Sequence, residues 1–542
     1  MTTAAWPLSE RLEGCASQQA IIVLCSDISE VGPHAIPAGV ISAGLARRSV
    51  GTRVFVVDRL CSDPALFSTT LQSRGICRVV IGCRQISTTQ DEIRSHLRRV
   101  GILPAGAQLV DLMPSEQSIP TVAGEQSIAL LRSALARVVQ ADLSTPVHEH
   151  PASGSVEFPR RSLLHAGTLA RRPIASFMEG RCEVGECRAC MEACPHGALH
   201  AAGGRVVING AACTGCGACV SACRSGAMSL NGSSMREFEA AASVLVTEAL
   251  GLSPLSSYGV AIVCKKARAK VRLGEEWLPL EVPSLEMVSA GWLLQILGCG
   301  VPATFLGCDE NECARRGRQL EEFCGELVDN IGGAQPETSN LFRANLTGPS
   351  PWQNGRVPPV ASIELREPQA TVHALSALCS RQDGHHVSAR AGGEDGASLR
   401  VESPVAPLGE VTIDARGCSA CGRCTLACAT SALQASRDET AMTLSFEAAA
   451  CSACGACVSS CPEGVVSLQR VVDSMSLGAG RRSIAEVFVG ASCESCGRAL
   501  GLGLVGRVVS GHLATSHPAI AARLRDERRC TDCLLEGRHG HD

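Results

Sequence analysis

Between Cys418 and Leu468 the chain reads CSACGRCTLACATSALQASRDETAMTLSFEAAACSACGACVSSCPEGVVSL, with cysteines in two runs of the form C-x2-C-x2-C-x3-C. Thiolates at the first three positions of such a run wrap three corners of an iron–sulfur cubane. The fourth, three residues further on, is placed to reach a neighbouring cubane. The spacing therefore predicts two interlocked [4Fe-4S] sites, one from Cys418, Cys421, Cys424 and the distant Cys461, the other from Cys451, Cys454, Cys457 and Cys428. Pro462 follows one fourth cysteine, as the pattern expects, and Ala429 follows the other. A structural zinc site needs only four cysteines and would leave the doubled eight unexplained.

The same logic recurs earlier, with a departure. CEVGECRACMEACP reads C-x4-C-x2-C-x3-C-P, so its first loop is two residues longer, and the partner run CTGCGACVSAC is regular but carries Arg224 where proline is common. Cys182, Cys187, Cys190 and Cys223 are assigned to one cluster, and Cys213, Cys216, Cys219 and Cys194 to the other. The longer loop leaves a three-cysteine site with a labile iron as the alternative where Cys182 is concerned.

Near the end of the chain, Cys493 and Cys496 pair with Cys530 and Cys533 as two C-x2-C groups. Four thiolates in this arrangement read as a closed tetrahedral site, for which zinc is the first choice. A rubredoxin-like iron is the second reading, and a nucleic-acid zinc finger the third, although the segment lacks a basic aromatic surface. The other polar groupings offer less. GEEW and CDENEC hold paired acids without a histidine base in motif relation, and His385 and His386 lie in a polar stretch.

The elements that must position these cysteines belong to a large protein. At 542 residues the chain exceeds one core and implies several domains. An apolar fraction of 45% with 19% charged residues is globular, while a net charge of -4 and 3% aromatics give no footprint for nucleic acid. The 31 cysteines would mean disulfides in a short secreted chain, but this chain is long. Its first residues, MTTAAWPLSERLEGCASQQ, show no basic region followed by an apolar one and no twin arginine, so a cytoplasmic location is expected. The uncharged run MVSAGWLLQILGCGVPATFLGC, residues 287–308, is broken by Gly298, Gly300 and Pro302. It is expected to be a buried helix followed by a buried strand, with no membrane span.

Strand-length apolar runs AIIVLC, TRVFVVD, RVVIGC and AQLVDL alternate with helical stretches over residues 15–145, which predicts a parallel sheet covered by helices. The first cysteine module spans 176–232. Residues 235–333 return to an α/β pattern with strands GVAIVC, WLPLEV and ATFLGC. Residues 334–408 read as a connector, 409–472 as the second cysteine module, and 480–542 as the four-cysteine tail. The expected fold class is thus α/β and α+β multidomain, in which parallel-sheet α/β domains alternate with ferredoxin-like 2[4Fe-4S] modules and end in a small zinc-ribbon-like tail.

Three resemblances sharpen this reading. Both cysteine modules resemble bacterial two-cluster ferredoxins. The stretch VVDRLCSDPALFSTTLQSRGICRVVIGC, with its continuation to AQLVDL, is similar to the N-terminal domain of the heterodisulfide reductase A subunit, whose patterned cysteines fall here on Cys25, Cys61 and Cys83. That resemblance implies a further [4Fe-4S] cluster. The chain departs at Asp27, where the family has a second cysteine, and Cys77 or Cys15 is the available substitute. The alternative is that these cysteines are ordinary buried apolar residues. No G-x-G-x-x-G follows a strand, so the flavin-binding domain of that family is absent. Residues 258–330, from YGVAIVCKKA to GCDENEC, resemble the delta subunit of methyl-viologen-reducing hydrogenase, which implies a [2Fe-2S] cluster at Cys264, Cys308 and Cys313. Two further cysteines of that family are here Ala267 and Pro283, and Cys299 lies nearby.

Together these features predict an iron–sulfur electron-transfer subunit with no catalytic residues of its own. It would carry electrons to or from a separate catalytic oxidoreductase subunit such as a formate dehydrogenase, a hydrogenase or a heterodisulfide reductase-like enzyme. Two other readings stay open: a disulfide- or thiol-active reductase in its own right, and a cluster-containing maturation or scaffold protein for a molybdenum or tungsten dehydrogenase.

Overall fold

The computed structural model describes residues 20–500, apart from 26–37, 61–67, 72–75, 113–119, 144–147, 152–170, 183–186, 231–233, 252–257, 274–276, 333–362, 382–398, 493–498 and other positions singly or in pairs. The chain divides into two units, residues 1–182 with 193–387, and residues 183–192 with 388–542.

In the first unit, β1 (Ile21–Cys25), β2 (Arg53–Val57), β3 (Val79–Cys83) and β4 (Ala107–Asp111) form a parallel sheet in the order β2-β1-β3-β4. The helices α1 (Ala38–Arg48), α2 (Ile86–Arg99) and α3 (Pro120–Gln140) accompany it. Successive residues of β1 face opposite ways: Ile21, Val23 and Cys25 join a core with Phe55, Ile93 and Leu97, while Ile22 and Leu24 join another with Ile41, Leu45 and Leu131. Burial on both faces is why these strands read as continuous apolar runs.

The first cysteine module is framed by antiparallel strands β5 (His148–Pro151), β6 (Arg171–Phe177), β7 (Leu199–Ala202), β8 (Arg205–Ile208) and β9 (Met228–Leu230), paired β5-β6-β9 and β7-β8. Its last strand leads into α4 (Met235–Gly251). Glu237 reaches back over the start of that helix: the Ser234 N–H and hydroxyl both donate to its carboxylate, at 2.8 and 2.6 Å. Small side chains, Ala241 and Ala242, bring α4 close against α3. Along this seam the Ser133 hydroxyl donates to the Ala241 carbonyl at 3.3 Å, and the Arg137 guanidinium lies 4.5 Å above the Phe238 ring. The buried Glu248 carboxylate is paired with both Arg48 and Arg132. Removing both arginines would leave a buried charge uncompensated, the costly case for ion pairs.

A second parallel sheet follows, with β10 (Gly259–Cys264), β11 (Trp277–Val282) and β12 (Ala303–Leu306) in the order β11-β10-β12. The uncharged run at 287–308 folds into α5 (Ala290–Gly298), buried at every position, and then β12. Among the described residues no helix is long and apolar enough to cross a membrane. The amphipathic α6 (Asn311–Gly332) comes next.

One expectation needs correcting here. The stretch taken as a connector contains α7 (Pro368–Arg381), which packs on α5. The approach is close because Gly298 has no side chain: a Cβ there would meet the Ala374 Cβ at 2.5 Å. Gln295, the one polar residue of α5, is satisfied across this contact. Its amide nitrogen donates to the Glu364 carbonyl at 3.0 Å and its oxygen accepts from the Glu364 N–H at 3.0 Å. Helical periodicity in this segment is weak, and the neighbours that hold it are distant in sequence.

In the second unit, β13 (Arg400–Glu402), β14 (Gly409–Ile413) and β17 (Val466–Asp473) form one antiparallel sheet. A second consists of β15 (Leu433–Arg437), β16 (Ala441–Glu447) and β18 (Arg481–Phe488). β18 was expected at the start of the tail but pairs with β16 along its length, so the module reaches beyond residue 472. Val411, Leu444, Phe446 and Val466 form its core together with Cys424, Cys451 and Cys457.

Candidate functional site

In the second unit the cysteines face two cavities. One is lined by Cys418, Cys421, Cys424 and Cys461, closed by Ile413, Met442 and Leu444. The other is lined by Cys428, Cys451, Cys454 and Cys457, closed by Val411, Phe446 and Leu468. Each cavity therefore takes three thiols from one run and the fourth from the other. The runs can cross because each ends in a short helix, Arg423–Leu426 and Ala456–Ser459, that carries the third cysteine inward and sends the fourth away.

The backbone is bent to do this. Gly422 and Gly455 adopt left-handed φ values of 74° and 79°, and Ala420 and Ala453 do the same at 51° and 50°. Alanine in that region costs about 1–2 kcal/mol. The turn also aims backbone N–H groups at sulfur: Ala420 donates to Cys418 Sγ, Ala453 to Cys451 Sγ and Leu433 to Cys428 Sγ, each at 3.4 Å. Such bonds stabilise thiolate charge and tune cluster potentials. Burial pushes the thiol of Cys424 up to about 11 and those of Cys451 and Cys457 up to about 12, with the neighbouring cysteines adding to the rise. Dry, mutually repelling thiols fit a metal centre, since bound iron supplies the positive charge that lets them ionise.

Two charged residues not singled out from the sequence complete this picture. Arg470 on β17 has an exposed side chain, yet the Cys451 and Cys454 sulfurs act on its guanidinium. Glu463 lines the other cavity and acts on Cys418. Both follow the last cysteine run closely, but only the fold shows which cavity each one faces.

In the first unit, Gly215 and Gly217 carry φ values of 73° and 86°, at the positions occupied by Ala453 and Gly455 in the second module. Cys216 is electrostatically close to Cys194, and the Ala198 N–H donates to Cys194 Sγ at 3.3 Å. Cys213 and Cys219 are buried beside them in the chain. Cys182 and Cys223 are half-buried, and Cys223 Sγ accepts from the Met228 N–H at 3.4 Å. Arg224, at the position where proline is common, is held by the Arg366 carbonyl at 3.0 Å and the Glu367 carboxylate at 2.7 Å. Cys187 and Cys190 belong to the 183–192 segment, grouped with the second unit.

Both parallel sheets place cysteines at the C-terminal ends of the two strands that flank the reversal in strand order, where open α/β sheets carry their ligand sites. In the N-terminal sheet these are Cys25, ending β1, and Cys83, ending β3, both within the apolar core. Cys61 and Cys15 lie outside the described residues. Cys77 precedes β3, and six residues of near-extended chain put it roughly 20 Å from Cys83. It cannot supply the ligand that Asp27 replaces.

In the second sheet, Cys264 ends β10, Cys308 follows β12 and Cys313 lies in the first turn of α6. Their three sulfurs all lie within 4.8 Å of one another, and all three residues are buried. Hydrogen bonds hold Cys313 below the usual thiol range: the Cys264 thiol donates to it, with the backbone N–H groups of Leu285 and Cys308 and the Ser284 hydroxyl adding to the effect. The Cys264 thiol is held protonated in turn. Cys299 is buried at the end of α5 and does not join the group. Cys324, within α6, is a core residue whose thiol is pushed up by burial alone.

The tail cysteines Cys493, Cys496, Cys530 and Cys533 lie outside the described residues. A short antiparallel pairing of Ala491–Ser492 with Ala499–Leu500 flanks the first two in sequence.

Residues 417–466 match a family model described as a 4Fe-4S dicluster domain, and residues 176–224 match another model of the same description. No curated protein matches the chain significantly. The chain thus carries two ferredoxin-type dicluster domains among parallel α/β domains, and it is an iron–sulfur protein of the kind that transfers electrons.

Proposed function

We propose that the protein is a multi-cluster electron-transfer subunit that passes electrons between a redox partner and a separate catalytic oxidoreductase subunit, a formate dehydrogenase, a hydrogenase or a heterodisulfide reductase-like enzyme. The observation that carries this reading is the pair of four-cysteine cavities in the second unit, each completed by a thiol from the opposite run. On this reading four [4Fe-4S] clusters are bound, two per dicluster module, with ligands assigned as the motif spacing has them.

The N-terminal and central domains are read as relatives of the heterodisulfide reductase A N-terminal domain and the hydrogenase delta subunit. Their strand-end cysteines at the reversals in strand order support this. For a [4Fe-4S] cluster in the N-terminal domain, Cys25, Cys61 and Cys83 are the ligands, with Cys15 as the remaining candidate for the fourth. The [2Fe-2S] cluster that the second resemblance implies fits the central domain poorly. A two-iron cluster takes four thiolates shared between two irons, and the group there contains three sulfurs at one point. The tail cysteines Cys493, Cys496, Cys530 and Cys533 are read as a zinc site.

Protein purified anaerobically should contain about 16 iron atoms in the dicluster modules, four per cubane. Its dithionite-reduced EPR spectrum should show interacting S = 1/2 centres. Half that iron in fully folded protein would remove one module from the reading. Proteins co-purifying from the native host should include an oxidoreductase catalytic subunit.

A further inference from the structure

The cluster of Cys264, Cys308 and Cys313 differs from the other cysteine groups in how tightly its sulfurs gather. Ligands on one tetrahedral ion with metal–sulfur bonds of about 2.3 Å lie about 3.8 Å apart. Thiolates of a cubane each sit on a different iron and stand further from one another. Among the described residues, only these three cysteines bring three ligand atoms within 4.8 Å of one another. The dicluster cysteines do not. The fold thus spaces sulfurs for polynuclear clusters in the two modules and for a single ion here.

A two-iron cluster would divide its thiolates, putting the third sulfur on the far iron and beyond any tetrahedral edge from the first two. The positions at which the resembled family carries further cysteines are filled by Ala267 and Pro283. No fourth Cys, His, Asp or Glu among the described residues joins the group.

We propose that Cys264, Cys308 and Cys313 form a mononuclear site for one thiophilic divalent ion, zinc or ferrous iron, whose fourth position is left to solvent or a small exogenous ligand. Three elements bring the sulfurs together: the pairing of β10 with β12 sets Cys264 beside the chain that leads to Cys308, and the first turn of α6 adds Cys313. Three thiolates and a divalent ion leave one negative charge; the Lys266 ammonium, paired first with the Glu310 carboxylate, also interacts with Cys308 and Cys264 and opposes part of it. The Ser284 hydroxyl and the Leu285 N–H fix Cys313 from the side. The site also adjoins the first dicluster module. Met287, on the same short turn as Leu285, packs against Gly217, and His196 approaches the Glu312 carboxylate at 3.4 Å. With iron bound, the site would lie beside the cysteines Cys194 and Cys216 and could extend their electron path. With zinc, it would brace that contact.

The test compares full-length, anaerobically purified protein with the Cys308→Ser and Cys299→Ser variants by zinc and iron content per chain and by visible absorption. Cys308→Ser should lose one metal ion per chain, zinc or iron, with the cubane absorption unchanged. Cys299→Ser should lose none. Loss of two irons from Cys308→Ser would establish a two-iron cluster and overturn the proposal, as would loss of no metal. If Cys308→Ser fails to fold, anomalous scattering from wild-type crystals at the iron and zinc edges decides. One peak among the three sulfurs supports the single ion, and two peaks or none overturn it. The readout is a difference at one site, so it does not depend on how many cubanes the modules hold.

Discussion

Cys428 faces the same cavity as Cys454, although it closes the run that begins at Cys418. A thiol three residues beyond its neighbours is carried past the end of the Arg423–Leu426 helix and out of the cavity those neighbours line. Changing Cys428→Ser should therefore damage the cluster held by Cys451, Cys454 and Cys457 and leave the one held by Cys418, Cys421 and Cys424 mostly intact. EPR of the reduced variant, compared with Cys461→Ser, should show opposite losses. If each variant lost only the cluster of its own run, the crossed assignment would be wrong.

Arg470 and Glu463 give the two cavities of the second unit opposite electrostatic surroundings. Arg470 lies within electrostatic reach of Cys451 and Cys454, and an arginine stays charged in proteins. It stabilises the added electron in that cluster. Glu463 works against reduction of the cluster beside Cys418. The Cys451 centre should have the higher potential of the two. Arg470→Met should lower it by on the order of tens of millivolts, and Glu463→Gln should raise the other by a similar amount. An EPR-monitored redox titration reads both, and an unshifted pair of potentials would remove the argument.

What could be read from the sequence followed from how local each constraint is. The dicluster runs are legible because one cube dictates the spacing of three thiols within seven residues. The strands of the first sheet are legible because burial on both faces leaves unbroken runs such as Ile21 to Cys25. Helix α7 was missed because its stabilising partners, Gln295 and Gly298, lie far away in sequence. β18 was assigned to the tail because nothing local shows that it will pair with β16. The distance between Cys77 and Cys83 was hidden for the opposite reason. Six residues look close in sequence, but an extended strand places them at its opposite ends. The tight grouping of Cys264, Cys308 and Cys313 depends on strand order, which composition and periodicity do not specify.

Metal-free protein should lose stability as pH rises above about 9. Burial raises the Cys451 and Cys457 thiols from about 9 to about 12 in the folded module. Between those values the unfolded chain has already lost these protons while the folded module keeps them, so rising pH favours unfolding. The contribution is complete below about pH 9 and is lost as pH approaches 12, at about 1.4 kcal/mol per pH unit for a thiol as buried as Cys451. Urea midpoints of the metal-free protein at pH 8 and pH 10 should differ clearly. In cluster-loaded protein the same cysteines are thiolates already, and the difference should shrink. A midpoint that does not move in the metal-free form would show that these thiols are solvated.

Gly217 and Met287 test whether the first dicluster module and the Cys264 group are mechanically joined. Gly217 has a φ of 86°, and a Cβ placed there would lie 2.9 Å from the Met287 sulfur. Gly217→Ala should cost about 1–2 kcal/mol for the left-handed backbone alone, and more for displacing Met287. The two costs separate in a double-mutant cycle. Met287→Ala removes the sulfur but not the backbone strain, so Gly217→Ala should be less damaging in the Met287→Ala background than in the wild type. The turn from Leu285 to Met287 also holds Cys313 through the Leu285 N–H. Displacing it should therefore loosen metal at the three-cysteine site as well. Denaturation midpoints measure the coupling, and the rate of metal loss to a chelator measures the second effect. Strictly additive midpoints with an unchanged chelation rate would mean that the contact between Gly217 and Met287 transmits nothing to Cys313.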